Sequence, residues 1–244
     1  MCLNYKLYKM LGLGLGVHNS SYAEDWTPAN LSGLVGWHRF NTGFTRPGGS
    51  FPLDGNDIER WRDVSGNNNH ASKSSDLPSY NATYKAAVFD STADSFDIPQ
   101  LTLTTFSIYV RLQFTGGITS ADVLMQDDTT SNNFWRIQTT ESIRCKLSSS
   151  PAANYTLHSS TNLETDVWYN MGLERGTDDE MYSYLNGIVN GSSVNIEAQT
   201  KPFLVDSIHG GKDMLVSEVI ITTNSLTSAE RTLVDTWLSS ETEG

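Results

Sequence analysis

Cysteine is almost missing from this chain of 244 residues: there are two, Cys2 and Cys145. A disulfide framework is therefore excluded as the source of stability, and both are read as free thiols that suit folding in a reducing compartment, with export left open. Basic residues are also scarce, 16 Lys and Arg against 28 Asp and Glu, giving a formal net charge of −12. That balance excludes a nucleic-acid surface as the first reading, because such surfaces neutralise phosphates with Lys and Arg. No run approaches the roughly 20 apolar residues of a membrane-spanning helix, so no membrane partner is expected. Hydrophobic residues at 38% and charged residues at 18% both fall short of ordinary usage, and Ser, Thr, Asn and Gly fill the gap. A helical bundle or coiled coil, which needs Ala, Leu, Glu and Lys in helical period, is excluded with them.

Sequence signatures of chemistry are equally sparse. His18, His38, His70, His158 and His209 show no HExxH or other paired metal-ligand spacing, and neither cysteine has a CxxC partner. There is no Gly-X-Ser-X-Gly elbow. The stretch Gly12-Leu-Gly14-Leu-Gly16 lacks the Lys-Ser/Thr of a phosphate loop.

What is present is aromatic: six Trp, ten Tyr and nine Phe supply ample core material and argue against disorder. Two regions are expected, an extended N-terminal arm over 1–25 and one domain over 26–244. In the arm, Lys6 and Lys9 precede Met10–Val17 and Ser21-Tyr22-Ala23 resembles a cleavage site, so a signal peptide is one reading. The retained-arm reading is favoured, because every second residue of that stretch is Gly and helix propensity is poor. Leu11, Leu13 and Leu15 then form one apolar stripe of an extended docking segment for the protein's own sheet or another chain.

In the domain, Leu34–Trp37 reads as a short strand, 41–57 as a long loop, and Trp61–Ala71 as a turn behind an aromatic anchor. Strand alternation runs through Phe106–Phe114, Asn133–Gln138, Val167–Leu173, Met181–Leu185 and Met214–Thr222. Asn186-Gly187 predicts a type I′ hairpin turn. Thr227-Ser-Ala-Glu230 predicts a capping box, followed by a short helix with Leu233, Val234, Trp237 and Leu238 on one face.

Four segments in this order, "WRDVSGNNNHA" (Trp61–Ala71), "AVFDSTADSFDIP" (Ala87–Pro99), "YSYLNGIV" (Tyr182–Val189) and "EVIITTNSLTSAERTLVDTWL" (Glu218–Leu238), resemble the concanavalin A-like lectin/glucanase superfamily in its laminin-G-like branch. The resemblance covers roughly 32–240 and implies an all-β fold: a two-sheet antiparallel jelly-roll sandwich with a short C-terminal helix. Glucanase members act through same-face carboxylates on one strand. Here the close acids Asp178, Asp179 and Glu180 sit at a turn, where the spacing required of a retaining pair does not arise. The chain is therefore read as no enzyme. No cofactor is required, and Asp127 and Asp128 are the candidates for a calcium ion of the kind some laminin-G-like modules hold.

Architecture of this kind hosts many functions, and two are expected. The first is a virion structural protein, a phage capsid decoration, head-fibre or tail-associated component, attached to other virion proteins or to its own copies. The second is a secreted or surface carbohydrate-binding module. Tyr109, Arg111, Arg136, Gln138, Tyr182 and Tyr184 project from the non-core side of the predicted strands and are the candidate glycan-binding face.

Overall fold

The computed structural model describes residues 26–118, 122–129, 133–138, 142–147, 154–158, 162–196, 202–211 and 213–240. The arm residues Leu11, Leu13 and Leu15 lie outside them, as does Cys2. A 3-10 turn (Pro28–Asn30) leads into β1 (Leu34–Arg39), a one-turn helix α1 (Phe40–Gly43), and the short strands β2 (Phe44–Thr45), β3 (Arg60–Trp61) and β4 (Ala71–Ser72). Then come β5 (Ser79–Asn81), β6 (Ala86–Phe89), β7 (Ser95–Leu103), β8 (Phe106–Phe114), β9 (Asp122–Gln126), β10 (Phe134–Ile137), β11 (Ile143–Lys146) and β12 (Asn154–His158). The chain continues through β13 (Trp168–Arg175), β14 (Glu180–Leu185), β15 (Ile188–Val189), β16 (Val194–Asn195), β17 (Phe203–His209) and β18 (Met214–Thr222), and ends in α2 (Ser228–Ser240).

These strands form two sheets with antiparallel ladders. The first runs β15-β14-β13-β8-β18-β6-β5, with β1 also on β18 and β16 also on β14; the second runs β12-β11-β10-β9-β17-β7-β4-β3-β2. Between them lies one core in which Trp61, Trp135, Phe89, Phe96, Phe106 and Phe203 are fully buried. Cys145 of β11 is a free, buried thiol in that core, and burial pushes its pKa up.

The local signals read from sequence act as expected at both ends of the first sheet. Asn186 and Gly187 have φ of 49° and 73° and close the β14–β15 hairpin, in which Leu185 faces Ile188. Thr227 N–H donates to Glu230 Oε2 at 2.8 Å while Glu230 N–H donates to Thr227 Oγ1 at 3.3 Å, so the box caps α2.

Three features differ from the sequence reading. The loop over 41–57 begins with α1 and β2, because Phe44 inserts beside Trp61 with ring centroids 5.0 Å apart. Alternation gave β8 one core face, yet all nine of its residues are buried. The second face is covered by α2: Val234 and Leu238 pack on Trp37, Tyr109, Tyr184 and Ile220, with Leu31 and Leu226 closing a smaller second core. Leu233, expected on the same buried stripe, is half-buried at the rim.

The turn after β3 is organised by one carboxylate. Asp63 accepts hydrogen bonds from the Trp37 N–H (2.9 Å), the Ser65 N–H (2.8 Å) and hydroxyl (2.8 Å), and the Asn69 N–H (2.9 Å). Burial opposes its charge, but these donors outweigh burial and hold its pKa below the usual value. The run Asp63–His70 thus has a fixed shape and ties β1 of the first sheet to β3 of the second.

Candidate functional site

Three cross-strand rungs build the outer face of the first sheet. Tyr182 and Glu174 face each other and Glu174 faces Ser107; Tyr184, Gly172, Tyr109 and Ile220 form the next rung; Asn170, Arg111 and Glu218 form the third. Gly172 is a steric requirement, since a Cβ there would come within 2.5 Å of the Tyr109 ring. Over its bare backbone the Tyr109 ring reaches Glu174, and its hydroxyl donates to Oε1 at 2.6 Å.

That placement corrects part of the expected glycan-binding face. Tyr109 is 1% exposed and Arg111 9%, because α2 roofs the rungs they stand on. Arg111 donates from Nη1 to Asn170 Oδ1 at 2.8 Å, and Asn170 Nδ2 donates to Asp235 Oδ1 at 2.7 Å and to Ser239 Oγ at 2.9 Å on α2. These two side chains anchor the roof and are not open to a ligand.

Tyr182 and Tyr184 fare differently. At positions i and i+2 of β14 they share a face, their ring centroids are 6.4 Å apart, and their planes meet at 33°. With Asp178, Val189, Leu226 and Arg231 they line an open cleft of about 390 Å³ between β14 and the N-terminal end of α2. Tyr184 is its buried back wall, covered by the Arg231 guanidinium 5.0 Å from the ring centroid. Tyr182 is half-buried, and its hydroxyl donates to Asp178 Oδ2 at 3.1 Å.

At the bottom of the cleft Glu174 is 2% exposed and accepts from Arg231 Nη1 at 3.0 Å as well as from Tyr109. Burial raises its pKa against the opposing pull of the Tyr109 hydrogen bond and the Arg231 charge. Burial, and then the charge of Glu174, pushes the Tyr184 hydroxyl up to about 12. The cleft therefore offers one exposed aromatic face with a carboxylate, a guanidinium and phenolic hydroxyls at its margin. Asp178 read as part of a solvated turn in the sequence, and Arg231 carried no expected role. Only the hairpin and the helix dock bring them together.

Arg136 and Gln138 stand apart from this site, on the second sheet. Arg136 lies over the Phe134 ring at 4.1 Å and opposite Arg144 of β11. The Gln138 amide oxygen accepts from Arg136 Nη2 at 2.9 Å. The six candidates therefore divide into a buried pair, a cleft pair and a pair on the other sheet.

Asp127 and Asp128 follow β9 in the expected turn. Asp127 closes that turn on the Thr129 N–H at 3.0 Å, and Asp128 faces the Nε2 of His209 at 3.2 Å. The His209 hydrogen bond, against partial burial, holds the Asp128 carboxyl well below the usual range. Asp206 lies beside them, its Oδ1 accepting from the Asp128 N–H at 2.7 Å, and among the described residues no group of three or more His, Cys, Asp and Glu is gathered to hold a metal ion. Nor is any helix among them long and apolar enough to cross a membrane.

No family model matches the sequence, and no curated protein matches it. Solved structures are similar in fold. A Trypanosoma rangeli sialidase in complex with sialic acid is 13% identical with a TM-score of 0.57, over 88% of this chain and 35% of that one. The ligand-binding domain of botulinum neurotoxin serotype D in complex with N-acetylneuraminic acid is 13% identical with a TM-score of 0.58, over 84% and 50%. The receptor-binding domain of botulinum neurotoxin D is 14% identical with a TM-score of 0.60, over 86% and 53%. This chain thus spans about a third of the sialidase and about half of the toxin domains. At such identity the likeness establishes the fold, a two-sheet antiparallel jelly-roll sandwich, and nothing finer. It lends no support to a virion role.

Proposed function

We propose that this chain is a non-catalytic carbohydrate-binding module that holds a sugar ring against Tyr182 in the cleft between β14 and α2. The observation that carries the reading is the cleft's composition: a half-buried aromatic face beside a carboxylate and a guanidinium. A pyranose presents an apolar C–H face and a rim of hydroxyls, so it matches an aromatic wall with hydrogen-bonding groups at its margin. The sialic-acid complexes among the similar structures add support from proteins of the same fold. Glu174 favours binding over hydrolysis, because at 2% exposure with its two oxygens engaged by Tyr109 and Arg231 it does not face a bound glycosidic oxygen.

A glycan array probed with the whole chain tests this, followed by calorimetry on the best ligand. Tyr182→Ala is expected to weaken binding at least tenfold while the protein stays folded with a modest fall in melting temperature, since the side chain packs only on the rim of the second core. An array with no bound glycan, with and without calcium, overturns the reading. A Tyr182→Ala protein that binds like the parent overturns the assignment to this cleft.

A further inference from the structure

On the second sheet, Arg60 of β3 and Arg62 just after it flank Trp61 on the opposite side of the chain. Trp61 is fully buried, so strand alternation puts both arginines on the outer face, about 7 Å apart along the chain. Arg60 lies between Thr45 of β2 and Ser72 of β4. One rung further, the Arg62 N–H donates to the Gly43 carbonyl at 2.7 Å, and His70 comes alongside just before β4. With Thr42 and Thr45 these residues line a cleft of about 370 Å³, a volume typical of small-ligand sites. Its floor demands glycine at 43, where a Cβ would meet the Trp61 indole at 2.8 Å.

Two neighbouring cations cost repulsion unless something offsets it, even in a chain of net charge −12. Among the described residues Arg175 pairs with Asp179 and Arg231 with Glu174, whereas Arg60 and Arg62 form no ion pair. Asp97, the acid in register with Ser72, is two strands from Arg60, about 10 Å by strand spacing. Asp63 is already committed to the turn described above. Protection of a sheet edge does not account for the pair, because β3 has neighbours on both sides. His70 adds a donor: its Nδ1 accepts the Asp63 N–H at 3.0 Å, which places the proton of the neutral ring on Nε2. Burial, and then the charge of Arg60, lowers the His70 pKa against the pull of Asp63, with Arg62 acting in the same direction as Arg60.

We propose that this cleft binds an oxyanion, the carboxylate or sulfate group of an acidic saccharide, with the Arg60 and Arg62 guanidinium forks as its main donors. Planar guanidinium groups match such anions in bidentate fashion, and His70 Nε2 with the threonine hydroxyls completes a polar lining. The oxyanion part stands on these residues alone, and the saccharide part rests on the carbohydrate-binding reading above.

The test titrates the whole chain with galactose, galacturonate, galactose 6-sulfate and inorganic sulfate, following the His70 ring by NMR and affinity by calorimetry. The charged sugars are expected to bind and shift His70, while galactose leaves it unmoved. Arg60→Gln with Arg62→Gln should weaken the charged sugars tenfold or more, and Tyr182→Ala should leave their effect on His70 intact. Both arginines are exposed, so the double variant is expected to melt like the parent. A His70 signal indifferent to every charged probe overturns the proposal, as does a double variant that binds like the parent. A response to inorganic sulfate without any response to the sugars means an adventitious ion only and overturns it too. Neutral glycans bound at Tyr182 with a silent His70 would sink this site alone; charged sugars on His70 with no glycan sensitive to Tyr182→Ala would sink only the other.

Discussion

A buried polar side chain is tolerated best when its groups have partners, and two hydrogen-bonded groups of such side chains lie between α2 and the first sheet. Tyr109 and Arg231 both donate to Glu174, and Asn170 links Arg111 to Asp235. His38 is a different kind of buried polar group. It is 0% exposed beside Trp61, and burial lowers its pKa from an ordinary 6.5 to about 4, against the attraction of Asp63. The folded state therefore binds fewer protons than the unfolded state between those values, and stability must fall as pH drops from about 6.5 towards 4. At full extent the loss is roughly 3 kcal/mol, taking about 1.4 kcal/mol per pKa unit. Chemical denaturation at pH 7.5 and pH 4.5 should show a smaller pH-dependent loss for His38→Leu than for the parent, whatever its absolute stability. His70, with a pKa lowered in the same sense, should leave the variant a residual slope. Parallel pH profiles for the two proteins would show that His38 does not hold its neutral form at the cost described.

At the scale of elements, α2 turns a one-faced sheet into a sheet buried on both sides. Thr227→Ala removes the hydroxyl half of the capping box and should cost about 0.5–2 kcal/mol. Leu238→Asp places an unpaired charge in the second core and should cost several kcal/mol. Thermal melts of both proteins check the order, and an Asp variant no less stable than the Ala variant would mean the helix does not dock as described. The helix, its cap and the Asn186-Gly187 turn were legible because each depends on residues only a few positions apart. The roof was not legible, because Ser107, Tyr109, Arg111 and Gln113 alternate with apolar residues just as a solvated strand face would. The burial of Tyr109 and Arg111 depends on a helix more than a hundred residues later in the chain, so these two looked like ligand-binding residues. Arg60, Arg62 and His70 were hidden for a related reason. The pattern Arg-Trp-Arg does place two cations on one face, but β2 and β4 must pair with β3 before Thr45, Gly43 and His70 come alongside.

At the scale of the molecule, the two clefts lie on opposite outer faces of the sandwich. The Tyr182 cleft belongs to the first sheet and the Arg60 cleft to the second, with the whole aromatic core between them. They share no lining residue, so ligand at one has no direct contact through which to alter the other, and effects at such separations are expected to add within about 0.5 kcal/mol. A glycan carrying both a neutral terminus and a charged group cannot bridge them on one copy unless it wraps around the sandwich, so a short acidic oligosaccharide should occupy one cleft per molecule. Salt separates the two modes further. Attraction between exposed charges is screened over about 8 Å at physiological ionic strength, whereas stacking on Tyr182 is not. Raising sodium chloride from 50 to 500 mM should therefore weaken charged sugars at Arg60 and Arg62 several-fold and leave neutral glycans at Tyr182 nearly unchanged. Calorimetric titrations of the parent, each single-cleft variant and the combined Tyr182→Ala, Arg60→Gln, Arg62→Gln protein would measure both the salt response and the additivity. Equal salt sensitivity of the two ligand classes, or a combined variant that departs from the sum by more than about 1 kcal/mol, would show that the clefts work as one site.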